Sequence, residues 1–365
     1  TTVCDYTPLE KQLQHSLKLA VASFEHKDTK IHLLDTPGYP DFLGHALPAT
    51  AAVETAGIVI NAQNGLEMMS GRFMQWAAKR GLDRLVIVNK IDADNVELEA
   101  LLERIQQAFG RECLPLNLPA ANRSKVSDCF FAPSGEADFS SVEEAHRQLI
   151  DQVVEVDEKL MERYLEKGEV TPEELHEPLE RALREGHLIP VVFTSAKTGA
   201  GIAELLEVIV ELLPNPTEAN PPAYVSTPAG GGEPADLVPI PDPGKHVLAH
   251  VFKVEIDPYI GRLAVFRMHQ GRLTPGMQLY VGEGRKPIKP GHLYQLRGKT
   301  QTEVSEALPG DICAIAKVDE IQFDHILHDS PSDAHVHARP LDMPTSVFGL
   351  AVQSKKRGDE QKVSD

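Results

Sequence analysis

Along the first two hundred residues the apolar positions alternate between two periods. Residues 30–35 (KIHLLD), 57–62 (GIVINA), 84–89 (RLVIVN) and 189–194 (IPVVFT) are short apolar runs, which predict buried strands. Between them the spacing turns helical. Over residues 66–81, Met69, Phe73, Trp76 and Ala77 form one stripe. Ser141-x-x-Glu144 is a capping box ahead of Ala145, Leu149, Val153, Val156, Leu160 and Tyr164, which predicts a helix over 141–164. Thr171-Pro172 opens a further helix that Pro178 is expected to kink or end early. GIAELLEVIVELL supplies a last helix before Pro214. Strands alternating with helices predict a parallel sheet covered on both faces, with ligands outside the carboxyl ends of its strands.

The pattern then changes. Residues 214–243 hold nine prolines and the run Gly230-Gly231-Gly232, and read as a linker rather than a packed element. Residues 246–328 break into β-rich runs (HVLAHVFKVEI, RLAVFRMHQG, QLYVG, DICAIAKV) between Gly and Pro turns, the pattern of a small β-barrel. Residues 345–353 (TSVFGLAVQ) read as the first strand of a further unit.

Composition narrows the functional classes. The chain has 365 residues, enough for two or three domains, and a formal net charge of −18, which argues against bulk non-specific nucleic-acid binding. Its four cysteines are scattered without a C-x-x-C, which fits reduced thiols in a cytoplasmic protein. No apolar run is long enough for a membrane span, and the first residues carry no signal-peptide pattern. The histidines His325, His328, His335 and His337 lie in a loop-like stretch without the regular spacing of a metal site. Arg285, Lys286 and Lys289 make a small basic patch, and Lys355-Lys356-Arg357 a charged turn.

Three short motifs follow predicted strands. Asp35-Thr36-Pro37-Gly38 ends the first with a carboxylate able to hold Mg2+ through water and a glycine whose N–H can approach a phosphate. The same residue types also serve a plain turn. Asn89-Lys90-Ile91-Asp92 offers a carboxylate that can accept from both N1–H and the exocyclic amine of guanine, a donor pair that adenine lacks. The lysine stem can lie along the base, and the asparagine can fix neighbouring loops. Ser195-Ala196-Lys197 offers a small residue whose backbone N–H can reach guanine O6. Each motif is short, and their order and placement at strand ends give them weight.

DTPGYPDF, NKID and SAKTG in this order resemble a translational GTPase. The long segment between NKID and SAK and the barrel that follows narrow the resemblance to elongation factor G and its close paralogues. Asp257-Pro258-Tyr259-Ile260-Gly261-Arg262-Leu263 and Gly271-Arg272-Leu273-Thr274-Pro275-Gly276 resemble the second domain of that family, and PTSVFGLAVQSKKRGDEQKVSD the opening of its third. The resemblance implies a P-loop-NTPase-type α/β G domain over 1–213 with a mostly helical insert at about 93–190. A linker over 214–245, a β-barrel over 246–330 and the start of a third domain over 331–365 would follow. It also implies GTP or GDP as ligand with Mg2+, and GTP hydrolysis coupled to translocation or a related step. The expected partner of this monomer is the ribosome, through ribosomal RNA and stalk-base proteins, with neither DNA nor membrane involved. Asp35 would contact Mg2+ and Gly38 the γ-phosphate, while Asn89, Lys90 and Asp92 read guanine beside the 195–197 loop. A ribosome-protection or release-type GTPase and a GTP-binding regulator with little hydrolysis are the alternatives.

Four departures qualify the resemblance. The sequence contains no G-x-x-x-x-G-K-[ST] loop, so the chain is expected to be part of a longer protein and to bind GTP poorly alone. The family's Mg2+-binding threonine aligns with Ser16 in Glu10-Lys11-Gln12-Leu13-Gln14-His15-Ser16, where Leu13-Gln14 replaces Arg-Gly. The family's water-orienting histidine is Tyr39, whose phenol can donate or accept but carries no positive charge at neutral pH. The insert is short of strand signals, which implies altered stalk contacts.

Overall fold

The computed structural model describes residues 2–168, 170–220, 222, 224–227, 232–257, 261–341, 343 and 349–355. Residues 230–231, 258–260, 344–348 and 356–365, named above within sequence motifs, lie outside the described residues.

The chain begins with α1 (Pro8–Leu13) and the hairpin β1 (Ala20–His26) and β2 (Thr29–Asp35). Next come α2 (Leu43–Ala46), β3 (Thr55–Asn61), α3 (Met68–Lys79), β4 (Asp83–Asn89), α4 (Leu98–Phe109) and β5 (Cys113–Pro115). The hairpin β6 (Asn117–Ala120) and β7 (Lys125–Asp128) leads to α5 (Val142–Val154), α6 (Glu158–Lys167), α7 (Pro172–Glu185), β8 (Ile189–Phe193) and α8 (Ile202–Glu211). The rest is β: β9 (Tyr224–Ser226), β10 (Ala235–Leu237), β11 (Leu248–Asp257), β12 (Gly261–Gln270) and β13 (Tyr280–Val281), then β14 (Leu293–Arg297), β15 (Thr300–Val304), β16 (Ile312–Ala316), β17 (Ile326–His328) and β18 (Val336–Ala338).

The parallel sheet has the order β3-β4-β8-β5. β3, β4 and β8 are apolar runs read from the sequence, whereas β5 was not singled out there, and Val86, Val88, Val191, Val192 and Phe193 are fully buried. Leu101, Ile105, Leu149 and Val153 from α4 and α5 pack on the same core. β4 and β8 run side by side, so Asn89 and Thr194 leave neighbouring carboxyl ends.

The strand over 30–35 does not join this sheet. It becomes β2, pairs with β1, and β1 pairs with β14 of the barrel at Ala22↔Arg297. The physical reason is the apolar face of Leu19 and Val21, which buries with Ala49 and Ala52 against Phe252, Leu263, Val265, Leu296, Ile312 and Ala314. The barrel sheet accordingly has the order β13-β17-β11-β12-β16-β14-β1-β2, with β15 on β14. Polar ties reinforce the join. Lys30 reaches Asp311 at 2.6 Å, Arg267 pairs with Glu54, and Lys27 reaches Glu207 of α8 at 2.7 Å.

Three further expectations are corrected. The helix over 141–164 is two helices, because Asp157 caps α6 by accepting from the Leu160 N–H at 3.0 Å. α7 runs through Pro178 to Glu185, held by the burial of Leu179, Ala182 and Leu183. The proline-rich stretch is not wholly a linker. β9 pairs with β10 and with β18, and Tyr224 is buried at 2% exposure beneath them.

Asp83 opens β4, and among the described residues neither of its carboxylate oxygens has a hydrogen-bond partner. Burial raises its pKa to about 6, with Arg184 and Arg84 opposing and Glu54 adding. A carboxyl with a raised folded-state pKa favours the folded state at low pH, and that contribution is lost as pH rises through 6. Asp83→Asn should therefore be more stable than the parent at pH 8 by roughly 2 kcal/mol and no more stable at pH 4, read by urea denaturation.

Candidate nucleotide site

The guanine-type motifs converge. Asn89 ends β4, and its Oδ1 accepts from the Lys90 N–H at 2.8 Å and from the Ala196 N–H at 3.0 Å. One side chain thus ties the two loops together. Lys90 takes a left-handed φ of 65°, which turns the chain so that Ile91 plunges into the core with no exposure. The Ile91 N–H donates to the Thr194 carbonyl at 3.2 Å, and the Thr194 N–H to the Val88 carbonyl at 2.8 Å.

Asp92 follows with its carboxylate braced. Its Oδ1 accepts from the Ser195 hydroxyl at 2.6 Å, and Lys197 Nζ stands 3.8 Å from its Oδ2. The Ser195 hydrogen bond holds the Asp92 carboxyl below its usual range, so it stays ionised as a two-oxygen acceptor. Ser195 is wholly buried and also receives the Thr198 N–H at 3.1 Å, while Lys197 stays exposed. The sequence assigned the 195–197 loop a backbone donor. The Ala196 N–H is instead taken by Asn89, and the loop's clearest service is the Ser195 hydroxyl on Asp92. Ser195→Ala in the full-length protein should weaken GDP binding about tenfold through loss of one charge-assisted hydrogen bond, read by titration.

Asn117 was not singled out from the sequence. Its side chain, 2% exposed, accepts the Phe193 N–H at 2.7 Å and donates to the Phe193 carbonyl at 3.2 Å. It mimics a strand partner and fixes the backbone two residues before Ser195. Its only sequence signal is a polar residue inside the apolar run CLPLNLPA.

The second group gathers around Asp35, at the end of β2. Pro37 is buried, whereas Gly38 and Tyr39 are exposed, Tyr39 at 54%. A Cβ on Gly38 would meet nothing within 4 Å, so the space on its side-chain face is open. Burial raises the Asp35 pKa; a hydrogen bond with Cys4 lowers it, and Asp5 and Glu10 add to the rise. Burial and the same acidic neighbours push the Cys4 thiol up to about 12. A carboxylate crowded by others is one that a divalent cation would relieve, and Asp35 therefore fits the Mg2+ role. Among the described residues no three ligating side chains converge. Ser16 does not fit as placed, because its hydroxyl donates to Asp5 at 2.8 Å.

A parallel sheet with a braced guanine-type acceptor at adjoining strand ends, joined to an antiparallel barrel, defines a nucleotide-binding α/β domain with a second β domain. Comparison with known proteins agrees. Residues 1–215 match the family described as Elongation factor Tu GTP binding domain, and residues 246–326 match Elongation factor G domain 2. The chain is 32% identical over 393 residues to the elongation factor G-like protein of Mycobacterium tuberculosis, an alignment that covers 100% of this chain and 54% of that protein. Against elongation factor G of Thermotoga neapolitana the identity is 26% over 382 residues, covering 100% of this chain and 54% of that one. A crystal structure from Thermus thermophilus matches with a TM-score of 0.80 and 31% identity, over 100% of this chain and 54% of that chain. The chain therefore belongs to the translational GTPase family, in its elongation-factor-G-like group, and spans about half the length of these relatives.

Proposed function

We propose that this chain supplies the guanine-nucleotide site and the second domain of a GTP-hydrolysing translation factor that acts on the ribosome. The observation that carries the reading is the Asn89–Ala196 and Asp92–Ser195 pair of ties, which builds a guanine-specific acceptor from two separate loops. The G domain is assigned to 1–213 with its insert at about 93–190, and the barrel to 246–330 with β18 beyond it. The cytoplasm is the corresponding location. Ribosomal RNA and stalk-base proteins are the partners that fit the family.

In this reading Asp92 and Lys90 select guanine, Gly38 offers its N–H to the γ-phosphate, and Tyr39 orients the attacking water. Asp35 would hold Mg2+ through water, and the ion would supply charge neutralisation at the phosphates. Phosphoryl transfer depends on positioning more than on a strong base, so a phenol at position 39 can serve. Presence of the nucleotide orders the Asp35–Tyr39 turn, and hydrolysis releases it.

The test is GTP turnover by the full-length protein with and without ribosomes. Strong stimulation supports a working factor. Binding without turnover, restored by Tyr39→His, favours the regulator reading instead. That second reading has one observation behind it, the packing of Tyr39 against His15 at 4.7 Å between ring centroids.

A further inference from the structure

The β6–β7 hairpin touches both guanine-type loops. At its base Asn117 grips the backbone of Phe193, two residues ahead of Ser195. At its tip Arg123 Nη1 donates to the Ala93 carbonyl at 2.7 Å, one residue beyond Asp92. Ala93 also closes the turn that carries Asp92, its N–H donating to the Lys90 carbonyl at 3.1 Å. The Asp92 backbone is thus held on one side by Ile91 in the core and on the other by Arg123, while Asp94 and Asn95 beyond are exposed.

The tip of the hairpin aims this side chain. Ala121, Asn122 and Arg123 take left-handed φ values of 51°, 55° and 65° in succession, a conformation that costs free energy for residues with a Cβ. One carboxylate holds it: Asp138 Oδ1 accepts the Asn122 N–H at 2.9 Å, and Oδ2 the Arg123 N–H at 2.7 Å. Asp138 is itself fixed. Its N–H donates to the Pro119 carbonyl at 2.7 Å, and Phe139 next to it packs edge-on against Phe193 at 5.9 Å between ring centroids. The half-buried Arg123 also acts by its charge, after the Ser195 hydrogen bond and Lys197, in holding the Asp92 carboxyl low.

We propose that Arg123 is a positioning residue for guanine recognition, acting through the Ala93 carbonyl to set the angle of the Asp92 carboxylate to the base edge. The inference rests on the guanine reading given above and deepens it by adding a support from outside the two loops. A carboxylate serves two donors at once only when both of its oxygens line up with them. Ser195 fixes one oxygen, and the backbone tilt held at Ala93 sets where the other points. Loss of the Arg123 tie therefore costs the two-point contact and leaves the rest of nucleotide binding in place.

The experiment measures Kd for GDP, for ADP and for inosine diphosphate (IDP), which lacks the exocyclic amine of guanine. It uses the full-length protein and its Arg123→Ala, Arg123→Lys and Asp138→Asn variants. The parent should prefer GDP over IDP by at least about tenfold, the worth of one charge-assisted hydrogen bond. Arg123→Ala should weaken GDP about fivefold and IDP less than about twofold, so that the ratio collapses. Arg123→Lys keeps a cationic donor and should hold the ratio within about twofold of the parent. Asp138→Asn loses one of the two acceptors that shape the tip, keeps the guanidinium, and should lower the ratio in the same direction by about twofold. A merely structural loss would weaken GDP and IDP alike. An unchanged ratio in Arg123→Ala overturns the proposal; if that variant does not fold, an unchanged ratio in Asp138→Asn does so. A parent that binds ADP as well as GDP overturns the guanine reading and this inference with it, whereas a parent selective for GDP whose ratio survives Arg123→Ala overturns the inference alone.

Discussion

Asp92→Asn in the full-length protein should weaken GDP and GTP binding by at least about a hundredfold while leaving the fold intact. The carboxylate lies at the surface end of a buried strand, with Oδ1 fixed by the Ser195 hydroxyl at 2.6 Å and Lys197 beside Oδ2 at 3.8 Å. Guanine presents two donors on the edge that this carboxylate would face. An asparagine replaces one acceptor oxygen by an NH2 donor and sets donor against donor. Sites built on such hydrogen bonds reject the mismatched partner by about 10⁴–10⁵, so a hundredfold is a conservative floor. The sign should reverse for xanthine nucleotides, whose carbonyl at position 2 accepts from the new amide. Displacement of a fluorescent GDP by GDP and by XDP reads both effects. Equal weakening toward both ligands would mean that Asp92 supports the loop without touching the base.

The second large effect concerns stability. Asn117→Ala should cost about 3 kcal/mol in urea denaturation of the 365-residue chain, because it leaves both the N–H and the carbonyl of the fully buried Phe193 without a partner. Each orphaned buried group costs about 1–3 kcal/mol, and the cavity left by the amide adds to that. Asn117→Asp keeps the acceptor for the Phe193 N–H but loses the donor to its carbonyl, so its loss should exceed that of a surface substitution while its geometry stays close to the parent. A loss below about 1 kcal/mol for Asn117→Ala would mean that β8 is held by its strand neighbours alone. Because Ser195 lies two residues beyond Phe193, Asn117→Ala is also expected to weaken nucleotide binding.

The parts of this molecule legible in the sequence are the local ones. NKID and SAK follow runs of buried β-branched residues, and the structure brings them together because β4 and β8 are neighbours. The chemistry was written in four letters, and its placement in the period of the strands. What escaped depends on distant residues. β1 (AVASFEH) has mixed burial, and it becomes a strand by pairing with β2 and reaching Arg297 of the barrel. β15 (TQTEV) is a largely polar strand that pairs with β14, stabilised by that pairing rather than by apolar content. Asn117 reaches across 76 residues to Phe193, a distance over which local patterning carries no information. Continuous helical periodicity over 141–164 hid a break, because Val156 and Leu160 keep the apolar phase while Asp157 restarts the helix between them. Pro178 misled in the other direction, since a helix packed along Leu179, Ala182 and Leu183 tolerates the loss of one hydrogen bond.

At the site the same division holds. The sequence placed Asp35, Gly38 and Tyr39 at a strand end, and they are there, but the strand belongs to the sheet that continues into the barrel. Ser16 was expected to face a cation, and Asp5 holds its hydroxyl instead. A pairing eleven residues away along an irregular segment has no periodic signature.

Nucleotide selectivity of the full-length protein is the most direct test of the central claim, that two loops braced by Asn89 and Ser195 build a site for guanine. Fluorescent GDP would be bound and then displaced in turn by GDP, GTP and ATP. Displacement by GDP and GTP at concentrations at least about a thousandfold below any effect of ATP is the predicted result. Displacement by ATP as readily as by GTP would contradict the account, because a carboxylate held as Asp92 is held has nothing to accept from adenine in place of N1–H.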